Sequence, residues 1–257
     1  MPVATELTTP ADHIPITSSH FERNDTMTSQ MIDIASHDGQ TFQGYLALPP
    51  TGTGPGIVLI QEIFGVNGHI KAVADQYALD GYVVLAPDLF WRQQPGVDLG
   101  YTETDFGAAI GFMQNTDFPL AIQDLTATVS ALRALPQCNG KVASLGYCMG
   151  GLLSYLSAAS AGVDAAVCYY PGSIEEHLNL VDKVTCPILI HFAENDHYIA
   201  PAAVKAVQEA FAEVKTAVIE VYPGVDHGFN CWERPAYHQK TSSLAHGLSL
   251  SFLAKAY

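Results

Sequence analysis

Short apolar runs alternate along this chain with segments of helical period, and that alternation predicts its architecture. Gln30 to Ser36 and Thr41 to Leu48 read as two strands joined by the turn His37-Asp38-Gly39, an antiparallel hairpin at the start of the fold. Gly56-Ile57-Val58-Leu59-Ile60-Gln61 is continuously apolar up to its last residue, as in a strand buried on both faces. Ile70 to Leu79 has helical spacing and stops at Gly81, and Tyr82 to Ala86 is the next strand, ended by Pro87-Asp88. A long loop and one or two helices follow through Leu135, the second carrying Leu120, Leu125, Val129 and Leu132. Val142 to Gly146, Ala165 to Tyr170, Pro187 to Phe192 and Ala217 to Tyr222 read as strands. Helices are expected from Met149, from Pro201 at a favourable first-turn position, and from Tyr237 to Leu253. Repeated βα units imply an α/β fold, a mainly parallel sheet with helices on both faces.

The first 26 residues differ. Pro2, Pro10 and Pro15 interrupt a Ser/Thr-rich stretch with no sustained period, so residues 1–26 are expected to form a flexible arm and 27–257 a single domain. The other reading of the arm is a segment packed on the domain or on a partner subunit.

Composition narrows the function. A chain of 257 residues, 48% hydrophobic, can bury a full single-domain core. No apolar run approaches the roughly 18 residues of a membrane span, and Met1 to Glu6 lacks the basic and apolar regions of a secretory signal. Five cysteines with no Cys-X-X-Cys pair fit a reducing compartment, so the cytoplasm is expected. A net charge of −15 would repel a nucleic-acid backbone. It would also repel a small anion, which therefore needs a local cation. The arginines are Arg23, Arg92, Arg133 and Arg234.

The candidate chemistry centres on Gly146-Tyr147-Cys148-Met149-Gly150-Gly151, between a predicted strand and a predicted helix. A sharp strand-to-helix turn of the form small-X-nucleophile-X-small is the nucleophile elbow of an α/β-hydrolase, here with cysteine in place of serine. In that fold the acid and the histidine follow the nucleophile, each after a later strand. The loop after Pro187 to Phe192 offers Asp196, with Glu194 as the alternative acid. His227, in Asp226-His227-Gly228-Phe229 after the last strand, is the expected base, with His197 as its competitor. His191 lies in a strand, and His238 and His246 lie on the final helix.

The division of labour follows from thiol chemistry. The thiolate is the nucleophile and an imidazole accepts its proton. A carboxylate sets the imidazole tautomer, and backbone N–H groups hold the oxyanion. The expected donors are Met149, just after the nucleophile, and Ile63, after an earlier strand. No His-Glu-X-X-His, Walker loop or Gly-X-Gly-X-X-Gly occurs, so neither metal nor cofactor is expected.

The chain resembles the dienelactone hydrolase family, the carboxymethylenebutenolidases, over roughly residues 30 to 254. Gln61-Glu62-Ile63-Phe64-Gly65-Val66-Asn67, Ala86-Pro87-Asp88-Leu89-Phe90-Trp91-Arg92 and Gly146 to Gly151 carry the resemblance, with Tyr169-Tyr170, Asp196-His197 and His227-Gly228-Phe229. It implies a Cys148-His227-Asp196 triad, with Glu62 beside the thiol as a helper carboxylate. A carboxylate at the C-terminal end of a buried strand suits that role, and pairing with Arg92 is its structural alternative. The resemblance also implies that Arg92 and Tyr169 contact substrate. A second family arginine is expected four residues after the histidine, where this chain has Cys231; Arg234 is the nearby substitute. The expected activity is hydrolysis of a lactone or carboxylic ester, dienelactone first, through a cysteinyl thioester. A non-hydrolytic binding protein or thiol sensor on the same scaffold is the alternative. Oligomeric state is not legible.

Overall fold

The computed structural model describes residues 28–257; the expected arm, residues 1–26, lies outside the described residues. The hairpin forms from β1 (Thr28–Ala35) and β2 (Thr41–Leu48), in antiparallel register from Thr28 opposite Leu48 to Ala35 opposite Thr41. β2 joins the main sheet by pairing antiparallel with β4 (Val83–Pro87). From β4 onwards the sheet is parallel, through β3 (Gly54–Ile60), β5 (Cys138–Tyr147), β6 (Ala165–Tyr169), β7 (Ile188–Ala193) and β8 (Ala217–Tyr222). The eight strands stand in the order β1-β2-β4-β3-β5-β6-β7-β8.

Burial follows from that order. β4, β6 and β7 are buried at every position, which explains their uninterrupted apolar sequence. The edge strand β8 leaves Val218, Glu220 and Val221 exposed.

One face of the sheet carries α1 (Gly68–Leu79) and α6 (Gln239–Ala256), which meet where Tyr77 packs on His246 and His246 reaches Asp80. The other carries α3 (Phe118–Ala134) and α4 (Met149–Ser160), with α5 (Pro201–Ala210) joined through a 3-10 segment, Ile174–Lys183. α2 (Glu103–Gln114) is different. It starts in a capping box made by Thr102 and Asp105, yet Ala109 is its one buried residue, and no other helix or strand packs extensively on it. The long loop expected before α3 thus contains a helix whose apolar residues Phe106, Ile110, Phe112 and Met113 are only partly buried against the core. No helix of the described residues is long and apolar enough to cross a membrane.

A buried polar chain ties α6 to the sheet. The Tyr169 hydroxyl and Ser249 Oγ lie 2.8 Å apart, Ser249 Oγ lies 3.0 Å from His191 Nε2, and His191 Nδ1 lies 2.9 Å from the Tyr222 hydroxyl. Burial lowers the pKa of His191 to about 3, so the imidazole is neutral and one ring nitrogen accepts. Ser249→Ala would leave the Tyr169 hydroxyl and His191 Nε2 without their common partner. Each buried unpaired group costs about 1–3 kcal/mol, so a loss of about 2 kcal/mol or more is expected in urea unfolding. A change within a few tenths of a kcal/mol would show that the chain is not structural.

Candidate active site

The turn from β5 into α4 concentrates the unusual backbone of this fold. Cys148 has φ +56° and ψ −117°, a region that non-glycine residues rarely enter. Its N–H donates to Tyr169 O at 3.0 Å, and its carbonyl accepts from Gly151 and Leu152, closing the first turn of α4. Such a turn requires that the helix start touch the neighbouring strand. A Cβ on Gly150 would lie 2.3 Å from Ile60 O and 2.4 Å from Gln61 O, so no side chain fits there. The flanking glycines are therefore a steric condition for presenting Cys148 at the end of the sheet.

His227 comes to this place on the loop after β8. Its Nδ1 lies 2.8 Å from Asp196 Oδ2, on the loop after β7. The other carboxylate oxygen of Asp196 accepts from the N–H groups of Tyr198 at 2.8 Å and Ile199 at 3.0 Å, which fixes the carboxylate plane. His227 is 3% exposed, with its ring against Tyr170 at 4.7 Å and Tyr198 at 5.0 Å. Its Nε2 is buried without a protein hydrogen-bond partner. Burial pulls the His227 pKa down, but the charge Cys148 carries as thiolate and the bond to Asp196 outweigh it, raising the value from 6.5 to about 10. The charged form of the imidazole is thereby favoured.

The alternatives for acid and base are engaged elsewhere. Glu194 accepts from the Gly224 N–H at 2.8 Å, and the exposed His197 pairs with Asp226. Asp226 also accepts from the backbone N–H groups of His197 and His227, so it ties the two loops together behind the imidazole.

Glu62 sits just past the end of β3, 2% exposed. Burial raises its pKa, and Arg234 and His227 oppose that rise. Its Oε1 lies 3.4 Å from Arg234 Nη1, while Oε2 has no protein partner. Arg234 packs over Gly228, where a Cβ would meet the guanidinium at 2.6 Å. The N–H groups of Ile63 and Met149 find no acceptor among the described residues. A cavity of about 610 Å³ gathers Glu62, Ile63, Cys148, Met149, His227 and Arg234 on its surface. Two buried acceptor-capable atoms and two free N–H groups therefore meet in one space, an arrangement that a bound reactant would satisfy.

Comparison with known proteins fits this geometry. The model of the dienelactone hydrolase family matches residues 42–257. This chain belongs to the dienelactone hydrolase family. It is 32% identical over 229 residues to carboxymethylenebutenolidase 1 of Cupriavidus pinatubonensis, covering 89% of this chain and 97% of that protein. It is 34% identical, with the same coverage, to a carboxymethylenebutenolidase of Pseudomonas putida. A Klebsiella pneumoniae crystal structure provisionally described as a dienelactone hydrolase matches with TM-score 0.79 and 26% identity, covering 89% of this chain and 99% of the other.

Two residues that the family resemblance assigned to substrate lie elsewhere in this member. Tyr169 is fully buried, stacked on His191 and Tyr147, with its hydroxyl committed to Ser249. Arg92 does not line the cavity, nor does it pair with Glu62. Its guanidinium donates twice to Asp124, from Nε at 2.9 Å and Nη2 at 2.8 Å, and from Nη1 to Asp38 at 2.7 Å. It also stacks on Trp91 at 4.2 Å, and Trp91 Nε1 donates to the same Asp124. Asp124 is buried on α3, so its charge demands this partner. Cys231 is fully buried, and burial pushes its thiol up to about 12.

Other cavity residues carried no motif: Tyr198, Glu176 and His177 of the 3-10 segment, and Phe106, Ile110 and Met113 of α2. Only the last three had a usable signal, their helical spacing. Among the described residues, no group of three His, Cys, Asp or Glu side chains is placed to hold a metal ion.

Arg92→Met should therefore act on stability. Removing the guanidinium leaves buried Asp124 with the Trp91 indole N–H and, at 3.8 Å, His37 Nδ1 in place of a bidentate cation, an expected loss on the order of 3 kcal/mol in denaturant unfolding. The kcat/KM of the remaining folded enzyme should fall equally, if at all, for anionic and neutral esters. A selective loss on anionic substrates with unchanged stability would return Arg92 to the substrate.

Proposed function

We propose that this member of the dienelactone hydrolase family, an ester and lactone hydrolase, works through Cys148 as nucleophile, with His227 as base and Asp196 as its orienting acid. One observation carries the reading. Cys148, in a strained elbow, and the partnerless Nε2 of an Asp196-bound His227 open on the same cavity. His227 takes the thiol proton and the thiolate attacks the ester or lactone carbonyl. The oxyanion is received by the N–H groups of Ile63 and Met149, helped by the positive start of α4. Collapse breaks the C–O bond, and His227 returns its proton to the leaving oxygen. A lactone opens at this step with the leaving oxygen still attached to the acyl chain. Water then attacks the Cys148 thioester with His227 as base, releasing the acid and the free thiol.

Glu62 adjusts the resting state. Burial favours its protonated form and Arg234 favours its carboxylate. A ligand that draws Arg234 away would leave Glu62 more basic towards nearby protons. Arg234 is the one arginine or lysine lining the cavity among the described residues, which makes it the natural receiver of a substrate anion. The intact Asp196-His227 pair is more than a thiol sensor requires, which favours turnover over mere thiol reactivity.

Cys148→Ala should lower hydrolysis of activated esters by about 10⁴-fold or more in a folded protein. By histidine NMR, His227 should titrate near pH 10 in the wild type and clearly lower in Cys148→Ala, because the thiolate charge is gone. The sign for stability follows from a raised pKa. The contribution of protonated His227 is complete below about pH 6.5 and is lost as pH rises through about 10. Full activity in folded Cys148→Ala would overturn the mechanism.

Arg234→Met tests anion recognition. A charge-assisted hydrogen bond is worth about 1.5–3 kcal/mol, so kcat/KM for an anionic lactone should fall about 10- to 100-fold, and much less for a neutral ester of similar size. Equal losses on both would assign Arg234 to holding Glu62 alone.

A further inference from the structure

The reactive groups of the site come from strand ends and the loops beyond them, Glu176 and His177 come from the 3-10 segment, and α2 adds Phe106, Ile110, Met113 and Gln114 to the cavity wall. Phe106, Ile110 and Met113, at helical spacing i, i+4 and i+7, face the cavity, and Phe118 and Leu152 extend the apolar surface. An apolar stripe on a helix ordinarily faces the core. This one does so only in part: its three stripe residues pack against the core, Phe106 beside Phe64 at 6.2 Å, yet each stays half-buried, and α2 fully buries only Ala109. Further contacts also hold α2 in place. Its capping box fixes the start, Phe112 stacks on Phe90 at 5.2 Å, and Gln93 donates to Phe112 O and Thr116 Oγ1. The helix thus leaves part of its apolar stripe facing the space over Cys148.

The size of the space supports the same conclusion. At about 610 Å³, the cavity falls among pockets of about 300–1,000 Å³ that enclose drug-sized ligands. A compact lactone would leave much of the α2 wall in contact with water, whereas an apolar substituent would displace that water from both surfaces.

We infer that the α2 stripe determines specificity. The enzyme prefers esters or lactones that carry a bulky apolar substituent, an alkyl chain or aryl ring, over compact ones of equal reactivity. Ile110 and Met113 are the residues that read its size. This inference rests on Cys148-dependent hydrolysis, and its test separates the two.

Two series of esters are to be assayed with wild type and Cys148→Ala: p-nitrophenyl esters of acids from acetate to octanoate, and acetates of alcohols from ethanol to octanol. Together they probe either side of the scissile bond. In at least one series kcat/KM should rise by about fourfold per methylene until the wall is covered. Ile110→Trp and Met113→Trp, checked for folding by circular dichroism, should lose at least about tenfold more on the longest ester than on the shortest. Should either variant fail to fold, the wild-type series still decides. Cys148-dependent turnover that is flat or falls with size in both series overturns the inference and leaves the mechanism standing. Turnover of no ester in a Cys148-dependent way overturns the mechanism, and this inference with it.

Discussion

The site depends on how closely α4 approaches β3. Gly150 lies so near the carbonyl oxygens of Ile60 and Gln61 that a single added carbon would overlap them. Because the helix starts there, Cys148 must take a left-handed backbone conformation to leave the strand and enter the helix. The strain is local, and the surrounding core over-determines it. Gly146, Tyr147 and Met149 through Ser154 are all buried, so the turn has no softer arrangement to relax into. The same contact brings the end of β3, with Glu62 and Ile63, beside the nucleophile. A sheet–helix contact made for packing therefore also sets the distances on which the chemistry depends.

Around that contact the fold sorts carboxylates by environment. Asp196 receives two backbone N–H groups and an imidazole, which fix its position and orientation. Glu62 receives one long contact from Arg234, and its other oxygen is buried without a partner among the described residues, so its protonation is open to influence by a ligand. Asp124 is also buried, but a bidentate arginine and an indole N–H satisfy it, and it does not line the cavity over Cys148. Burial alone does not make a functional carboxylate; burial with an unsatisfied oxygen facing a cavity is the more telling combination.

The cavity itself has two kinds of wall. Strand ends and their loops supply the reactive groups, held by the sheet and by the Asp226 tie between the acid and histidine loops. α2 supplies apolar surface and packs lightly on the rest. Such a division lets the reacting geometry stay rigid while the shape that receives the substituent varies independently.

Much of this is legible in the amino-acid sequence alone. Uninterrupted apolar strands, the Gly146 to Gly151 pattern and the order of Cys148, Asp196 and His227 follow from local rules: strand burial, steric room at a turn, and acid and histidine on loops after later strands. The choice among neighbours needs tertiary contacts. Glu194 and Asp196 are two residues apart, and only the positions of Gly224 and His227 show which carboxylate meets the imidazole. Arg92 and Arg234 are equally arginine in sequence. Their different surroundings come from where α3 places Asp124 and where the absent side chain of Gly228 leaves room. Phe106, Ile110 and Met113 stand at helical spacing, but that spacing does not say how much of their stripe meets core and how much meets the cavity. Local sequence determines how each segment bends and which face is apolar. Which charges meet, and which apolar face remains unfilled, is decided by long-range packing, because those contacts join residues that no local pattern relates.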